Sequence, residues 1–528
     1  MSTVATRAFH DIRRALLAHE ELALIDVREE DPFAQAHPLF AANITLSKLE
    51  LEVFARVPRR DTAITLYDDG EGLAAQAGQR LTALGYSDVA LLEGGLAGWR
   101  AAGGELFRDV NVPSKAFGEL VESVRHTPSL AAEQVQALLD AKADVVVLDA
   151  RRFDEYQTMS IPGGISVPGA ELVLRVAELA PDPATQVIVN CAGRTRSIIG
   201  TQSLVNAGIP NPVAALRNGT IGWTLAGQTL AHGQQRRFAE VTDSTRADAA
   251  QRARSVADRA GVARLEPQGL AAWQADTSRT TYVFDVRTPE EYAQGHLPAS
   301  RSVPGGQLVQ ETDHVASVRG ARIVLVDDDG VRANMSASWL AQMGWQVAVL
   351  DGLSAADFSA AGEWQAPQPA LPAVTEIGVE QLEDWLQAPG TVLLDFTSSA
   401  NYVKRHIPGA YWAIRAQLPQ VLERLPVAER YVLTCGSSLL ARFAALDLQA
   451  LTQTPVYVLD GGTARWITAG KALESGETRL AVARTDRYRR PYEGTDNPHE
   501  AMQGYLDWEF GLIAQLERDG THGFRVSS

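Results

Sequence analysis

One pattern recurs four times along this chain, and few folds can accommodate it. An apolar run closing on Asp appears as Leu24-Ile25-Asp26, Val147-Leu148-Asp149, Val283-Phe284-Asp285 and Leu393-Leu394-Asp395. Each reads as a short buried strand. Arg28, Arg151 and Arg287 stand just beyond the first three, and an aromatic follows in every copy at Phe33, Tyr156, Tyr292 and Tyr402. Turn signals come next in the later copies: Ile161-Pro162-Gly163, His296-Leu297-Pro298 and His406-Ile407-Pro408-Gly409. A second apolar run, a turn and a helix-like stretch then appear, the runs being Ile64–Tyr67, Val187–Asn190, Ile323–Val326 and Tyr431–Thr434. A glycine turn closes each unit at Glu93-Gly94-Gly95, Asn218-Gly219, Asp351-Gly352 and Asp460-Gly461-Gly462. Trp99, Trp223 and Trp466 follow at matching offsets, where the third copy has Asp357-Phe358.

Strand and helix alternating in this way predict parallel βαβ units, hence an α/β chain of four small sheets flanked by helices. The expected division is 1–110, 125–236, 262–366 and 373–476, with a C-terminal tail over 477–528. The segments between them read as linkers: 109–128 with Pro113 and Pro128, a charged Ala-rich 237–262, and a Pro-rich 366–373. In the tail, Met502, Tyr505, Leu506, Leu512, Ile513 and Leu516 fall at helical spacing, which predicts a helix laid on a domain or a partner.

At 528 residues the chain exceeds one hydrophobic core, and its net charge of −16 disfavours nucleic acid or an anionic membrane surface as a partner. No apolar run is long enough to span a bilayer, and Met1-Ser2-Thr3-Val4-Ala5 carries no leader signature, so a cytoplasmic protein is expected. Two cysteines cannot build a disulfide framework, which leaves them as thiols unless chemistry uses them.

The loop after the second strand of each unit is where an open α/β sheet binds ligands. The second copy has Cys191-Ala192-Gly193-Arg194-Thr195-Arg196-Ser197 there, and the fourth has Cys435-Gly436-Ser437-Ser438. The first and third have Asp68-Asp69-Gly70 and, on this reading, Asp328-Asp329-Gly330. A helix N-terminus and nearby cations lower a cysteine pKa, so Cys191 is expected as a reactive thiolate. Gly193 leaves room for backbone N–H groups to surround an anion, and Arg194 and Arg196 can fork onto its oxygens. Cys435 lacks such cations and is a candidate second thiol only. The Asp-x-Arg pairs and His296 are expected to fasten turns, since the third copy keeps them without a cysteine. No Zn-type cluster and no phosphate loop appears, so neither metal nor cofactor is expected.

Asp285-Val286-Arg287-Thr288-Pro289-Glu290-Glu291-Tyr292-Ala293-Gln294-Gly295-His296-Leu297-Pro298, together with Asp460-Gly461-Gly462 and Trp466, resembles the two signatures of rhodanese domains. The resemblance implies four tandem rhodanese-like domains and a double displacement in which a sulfane sulfur passes from thiosulfate or a persulfide donor to a loop cysteine, then to cyanide or a thiol. By position it implies Cys191 as the persulfide carrier and Ala192, Gly193, Arg194, Thr195 and Arg196 as the substrate-binding loop. Units one and three resemble inactive copies. Ser160 and Thr397 depart from the family pattern. Two rivals stand beside this reading. A sulfur-responsive scaffold would use Cys191 as a sensor, and a phosphatase of the same fold would need a loop one residue longer before its arginine. The partners expected are a small sulfur-containing anion or persulfide and an acceptor, with a homo-oligomer left open.

Overall fold

A computed structural model describes residues 5–527; Met1–Val4, on which the expectation of no leader partly rests, lie outside the described residues. The first unit forms a five-stranded sheet from Ala5–Arg7, Ala23–Asp26, Ala42–Asn43, Ile64–Tyr67 and Val89–Leu92. In space the strands run first, fifth, fourth, second, third, all parallel. Sheets of the same order occupy 129–216, 263–350 and 376–459. Strands such as Gln186–Asn190 are apolar on both faces because helices cover both, which is why they read as continuous runs rather than alternating ones.

The motifs that recur in sequence recur as the same contacts. Arg28, Arg151 and Arg287 each fork onto the Asp at the end of the preceding strand, at 2.6, 2.7 and 2.7 Å, and each also donates to a carbonyl beyond the next helix, at Ala36, Met159 and Gly295. These buried pairs tie strand end to turn. In the fourth unit Thr397 offers only its backbone N–H to Asp395, at 2.8 Å, and the second carboxylate oxygen has no partner. His296 and His406 stack on Tyr292 and Tyr402 with 3.7 Å between ring centroids and bond the same residues' carbonyls. Trp99, Trp223 and Trp466 donate to Glu105, Thr229 and Ala472, closing each unit's last turn. The third unit has only a short 3-10 turn, Ala355–Asp357, at that place.

The connecting segments are more than linkers. Residues 109–128 contain the helix Val112–Arg125, largely buried, and residues 237–262 contain the helix Asp243–Arg259. The first helix is wedged between units: Phe117 meets Trp339 of the third, and Gly118 approaches Thr195 of the second so closely that an added Cβ would lie 3.0 Å from its methyl carbon. Units one and three share one apolar core. Units one and four are joined by Arg415, which forks onto Glu50 at 2.6 and 2.9 Å. Units two and three meet at Gly169 and Gly306, where a Cβ on Gly306 would lie 3.0 Å from the Gly169 nitrogen, and at Arg332, whose guanidinium binds Glu171, Glu291 and Asp329.

The tail is a strap rather than a single helix. It breaks at Gly511 into His499–Phe510 and Leu512–Asp519. Leaving the fourth unit, it bonds the first (Asp31 N–H to Thr485 carbonyl, 3.1 Å), lays Met502, Tyr505 and Leu506 on Ile221 of the second, and ends on Gln342 of the third. Arg332 is the sharpest test of this packing, because removing a buried cation strands several carboxylates. Arg332→Met is expected to cost about 3–5 kcal/mol, read as a lowered denaturant midpoint of unfolding.

Candidate functional site

Cys191 follows the strand Gln186–Asn190, and the helix Thr195–Asn206 begins shortly after it, so the intervening loop curls over the end of the sheet. Its shape is held from the next turn. Thr220 N–H donates to the Cys191 carbonyl at 2.9 Å, and Ile221 N–H to the Ala192 carbonyl at 3.0 Å. Gly219 makes this approach feasible: its φ is +57°, and a Cβ there would stand 2.3 Å from the Cys191 oxygen. The glycine turn noted in the sequence is thus a support for the loop.

The Cys191 side chain is 2% exposed. Its Sγ donates to Ser197 Oγ at 3.4 Å, and that hydroxyl donates to the Arg194 carbonyl at 2.8 Å. Burial pushes the thiol up; the Arg196 guanidinium and the Ser197 hydroxyl and backbone N–H pull the other way, and Glu509 adds to the rise. The expected low-pKa thiolate is therefore not what this closed arrangement produces: with little water at the sulfur, desolvation outweighs the cation and the N–H donors.

Both arginines expected to meet a substrate anion already have partners. Arg194 binds Glu119 through Nε and Nη2 at 2.7 and 2.9 Å, reaches Glu122 and Asn218, and lies 4.2 Å from the centre of the Phe510 ring. It locks the loop to the wedged helix and the tail, and its donors are occupied. Arg196 forks onto Glu155 at 2.8 and 2.9 Å, holding that carboxyl down at about 2. Ala192 is buried, with its carbonyl taken by Ile221 and by the Thr220 hydroxyl. Thr195 is buried too, its hydroxyl without a partner. Gly193 faces the tail, where an added Cβ would lie 3.0 Å from Tyr505 and 3.4 Å from Glu509. A cleft of about 440 Å³ opens beside the loop, lined by Arg151, Arg152, Glu155, Arg196, Arg490 and Tyr492 among others.

Sequence reasoning missed Glu119, Glu122, Glu155, Ser197, Tyr505 and Glu509. Ser197 stood in the quoted loop, and the separation of Glu155 from Arg196 matches that of Glu291 from Arg332 in the third unit. That shared spacing was a usable signal. Nothing local marks the others.

The remaining loops show what the position demands. The strand Arg322–Val326 ends immediately before Asp327, so Asp327, not Asp328, stands where Cys191 does. Its carboxylate accepts the N–H groups of Gly330 and Ala333 at 3.1 and 2.8 Å, as Asp68 accepts those of Gly70 and Ala74 at 3.0 and 2.9 Å. Cys435, 4% exposed, is pushed up by burial, while the N–H groups of Ser437, Leu440 and Ala441 favour its thiolate; no cation stands among them. Among the described residues no cluster of three or more His, Cys, Asp or Glu side chains could hold a metal, and no helix is long and apolar enough to cross a membrane.

If Gly219 supports the loop as described, Gly219→Ala must shift it. The variant is expected to lose about 1–3 kcal/mol of stability through strain at positive φ and to expose Cys191, so that mass spectrometry records faster alkylation there than in the unaltered protein.

The family model of the rhodanese-like domain matches residues 11–102, 131–226, 266–354 and 378–469. The chain is similar, at 77% identity and a TM-score of 0.98, to a crystal structure of a thiosulfate sulfurtransferase from Pseudomonas aeruginosa, covering 99% of this chain and 100% of that one. Over 180 residues it is 29% identical to an HTH-type transcriptional regulator, Rv0324, of Mycobacterium tuberculosis, covering 31% of this chain and 79% of that protein. Over 127 residues it is 30% identical to a protein of the same organism named "Putative thiosulfate sulfurtransferase SseB", covering 22% of this chain and 43% of that protein, less than half its length. The four matched stretches make up most of the chain, which belongs to the rhodanese-like domain family and carries four copies of the domain in one polypeptide.

Proposed function

We propose that this protein is a sulfurtransferase that carries sulfane sulfur on Cys191, taking it from thiosulfate or a related persulfide donor and passing it to cyanide or a thiol. One observation carries the reading: of the four strand-end positions, only Cys191 combines a sulfur with a neighbouring guanidinium, that of Arg196. The likeness along the whole chain to a thiosulfate sulfurtransferase supports the donor. We read the site as cytoplasmic, where an unpaired thiol stays reduced.

The chemistry follows from charge. The Cys191 thiolate attacks the outer sulfur of thiosulfate, the S–S bond breaks, and sulfite leaves with the electron pair. The new persulfide is attacked at its outer sulfur by the acceptor, and the Cys191 thiolate leaves. Arg196 meets the donor from the cleft side, its anion exchanging with Glu155 for the same fork of donors. Arg194, held by Glu119 and Glu122, shapes the loop instead. Ala192, Gly193 and Thr195 are read as the rest of the substrate-binding loop, while the backbone N–H at the sulfur is that of Ser197, and Cys435 serves as a second thiol without a cation.

The burial of Cys191 also suits a sulfur-responsive sensor, which would load and hold. Turnover separates the two. Purified protein is expected to form thiocyanate from thiosulfate and cyanide, Cys191→Ser to abolish this, and Cys435→Ser to retain it. Loading without discharge would leave the sensor standing. Because burial raises the Cys191 thiol, the rate at which thiosulfate adds one sulfur in a single turnover is expected to climb as pH rises above neutral, measured by mass spectrometry. A rate flat across that range would contradict a raised thiol.

A further inference from the structure

Glu509 is a carboxylate that the tail brings over the Cys191 loop, and no ion pair among the described residues accounts for it. It is 0% exposed. Tyr505 donates to its Oε1 at 2.9 Å, while Oε2 has no hydrogen-bond partner. That free oxygen lies 3.4 Å from where a Cβ of Gly193 would be, over the loop that carries the nucleophile. Lys115, the nearest ammonium, is bound to Asp109 at 2.6 Å, and Arg194 is held by Glu119 and Glu122. An unpaired buried carboxyl is costly, and such groups persist where a proton must be moved.

Resting on the persulfide reading above, we propose that Glu509 is the general base for thiol acceptors, taking the proton of the incoming thiol through Oε2 while Tyr505 fixes the other oxygen. The step balances. The thiol RSH gives its proton to the Glu509 carboxylate, RS⁻ attacks the outer sulfur of Cys191–S–S⁻, and the S–S bond breaks with its electron pair going to Cys191. The departing RSS⁻ then recovers the proton from Glu509. No oxidant or reductant is required.

The surroundings tune the group for this task. Burial and the charge of Glu119 push Glu509 up to about 8, against Lys115, the Tyr505 hydrogen bond and Arg194; Cys191 and Arg194 act on it from the loop, Lys115 and Glu119 from the wedged helix, and Tyr505 from its own helix. A base with a pKa near the working pH transfers protons most effectively. The same shift carries a stability signature. A carboxyl raised in the folded state binds its proton more tightly there than when unfolded, so as pH rises from about 4.5 to about 8 the folded form loses ground.

Glu509→Gln tests the proposal, with the persulfide preformed on the full-length protein by thiosulfate and its discharge followed in a single turnover. Discharge by a simple alkyl thiol is expected to fall about 100-fold or more, and the rise in rate near pH 8 to disappear. Discharge by sulfite, an anion with no proton to lose, is expected to fall far less. The variant is also expected to unfold at higher temperature than the original at pH 8, whereas a merely structural carboxylate would destabilise on removal. Equal losses with thiol and sulfite, or an unchanged thiol rate, would overturn the assignment. Failure of Cys191 to take up sulfur in the unaltered protein would instead defeat the persulfide reading, so the two failures are distinguishable.

Discussion

In every unit the residue just after the central strand presents an electron-rich atom to the backbone N–H groups opening the next helix. Asp68 and Asp327 fill that cradle with a carboxylate that accepts two N–H donors each. Cys435 fills it with sulfur among three N–H groups, and Cys191 with sulfur beside the N–H and hydroxyl of Ser197. Oriented N–H groups at a helix start stabilise an anion whatever its chemistry. The position can therefore exchange a structural cap for a nucleophile without altering the backbone around it, and a fold repeated four times can carry chemistry in one copy while the others hold it in place.

That division works because no unit is closed by its own residues alone. The helix Val112–Arg125 and the tail belong to no sheet, yet they complete the second unit's loop. Lys115 shows how. Its ammonium, buried and bound to Asp109, sits 5.3, 5.1 and 5.6 Å from the ring centres of Tyr492, Tyr505 and Trp508. Desolvated cation–π contacts of this kind are worth about 2 kcal/mol or more, enough in combination to seat the strap over the loop. The side chains that surround Cys191 thus depend on an ammonium far from it in the sequence.

The repeats, the strand ends, the turn glycines and the position of Cys191 were legible because each rests on short-range pattern: strand hydrophobicity, a fixed Asp-x-Arg spacing, a loop before a helix. The one slip within that frame, Asp328 for Asp327, is a single-residue error in where a strand stops. What was not legible came from distance. Arg194 looked free for a substrate because its partner Glu119 lies in a segment whose two prolines read as a linker; Pro113 in fact opens a helix, where a missing N–H costs nothing. The tail pattern promised a helix but could not say which surface it covers or that Gly511 divides it.

The third unit isolates what is special about the second. Arg332 forks onto Glu291 at 2.6 and 3.0 Å, as Arg196 does onto Glu155, although no sulfur is present. The arginine–glutamate pair is thus part of the fold before it is part of any chemistry, and its presence alone predicts no activity. The third unit also has a cleft of about 600 Å³ over its strand ends, bordered by Asp327 and Asp351 and lined by residues of that unit. The second unit differs in three linked respects: sulfur in place of carboxylate, Arg194 in place of Gly330, and a tail seated on the loop by Lys115 and Arg194. Arg194 explains the last two together, since its guanidinium touches both the wedged helix and Phe510 of the strap. A bare thiol in an open cleft would be hydrated and exposed to oxidants. Covering it raises its pKa, and the same cover brings the carboxyl that a proton-bearing acceptor needs.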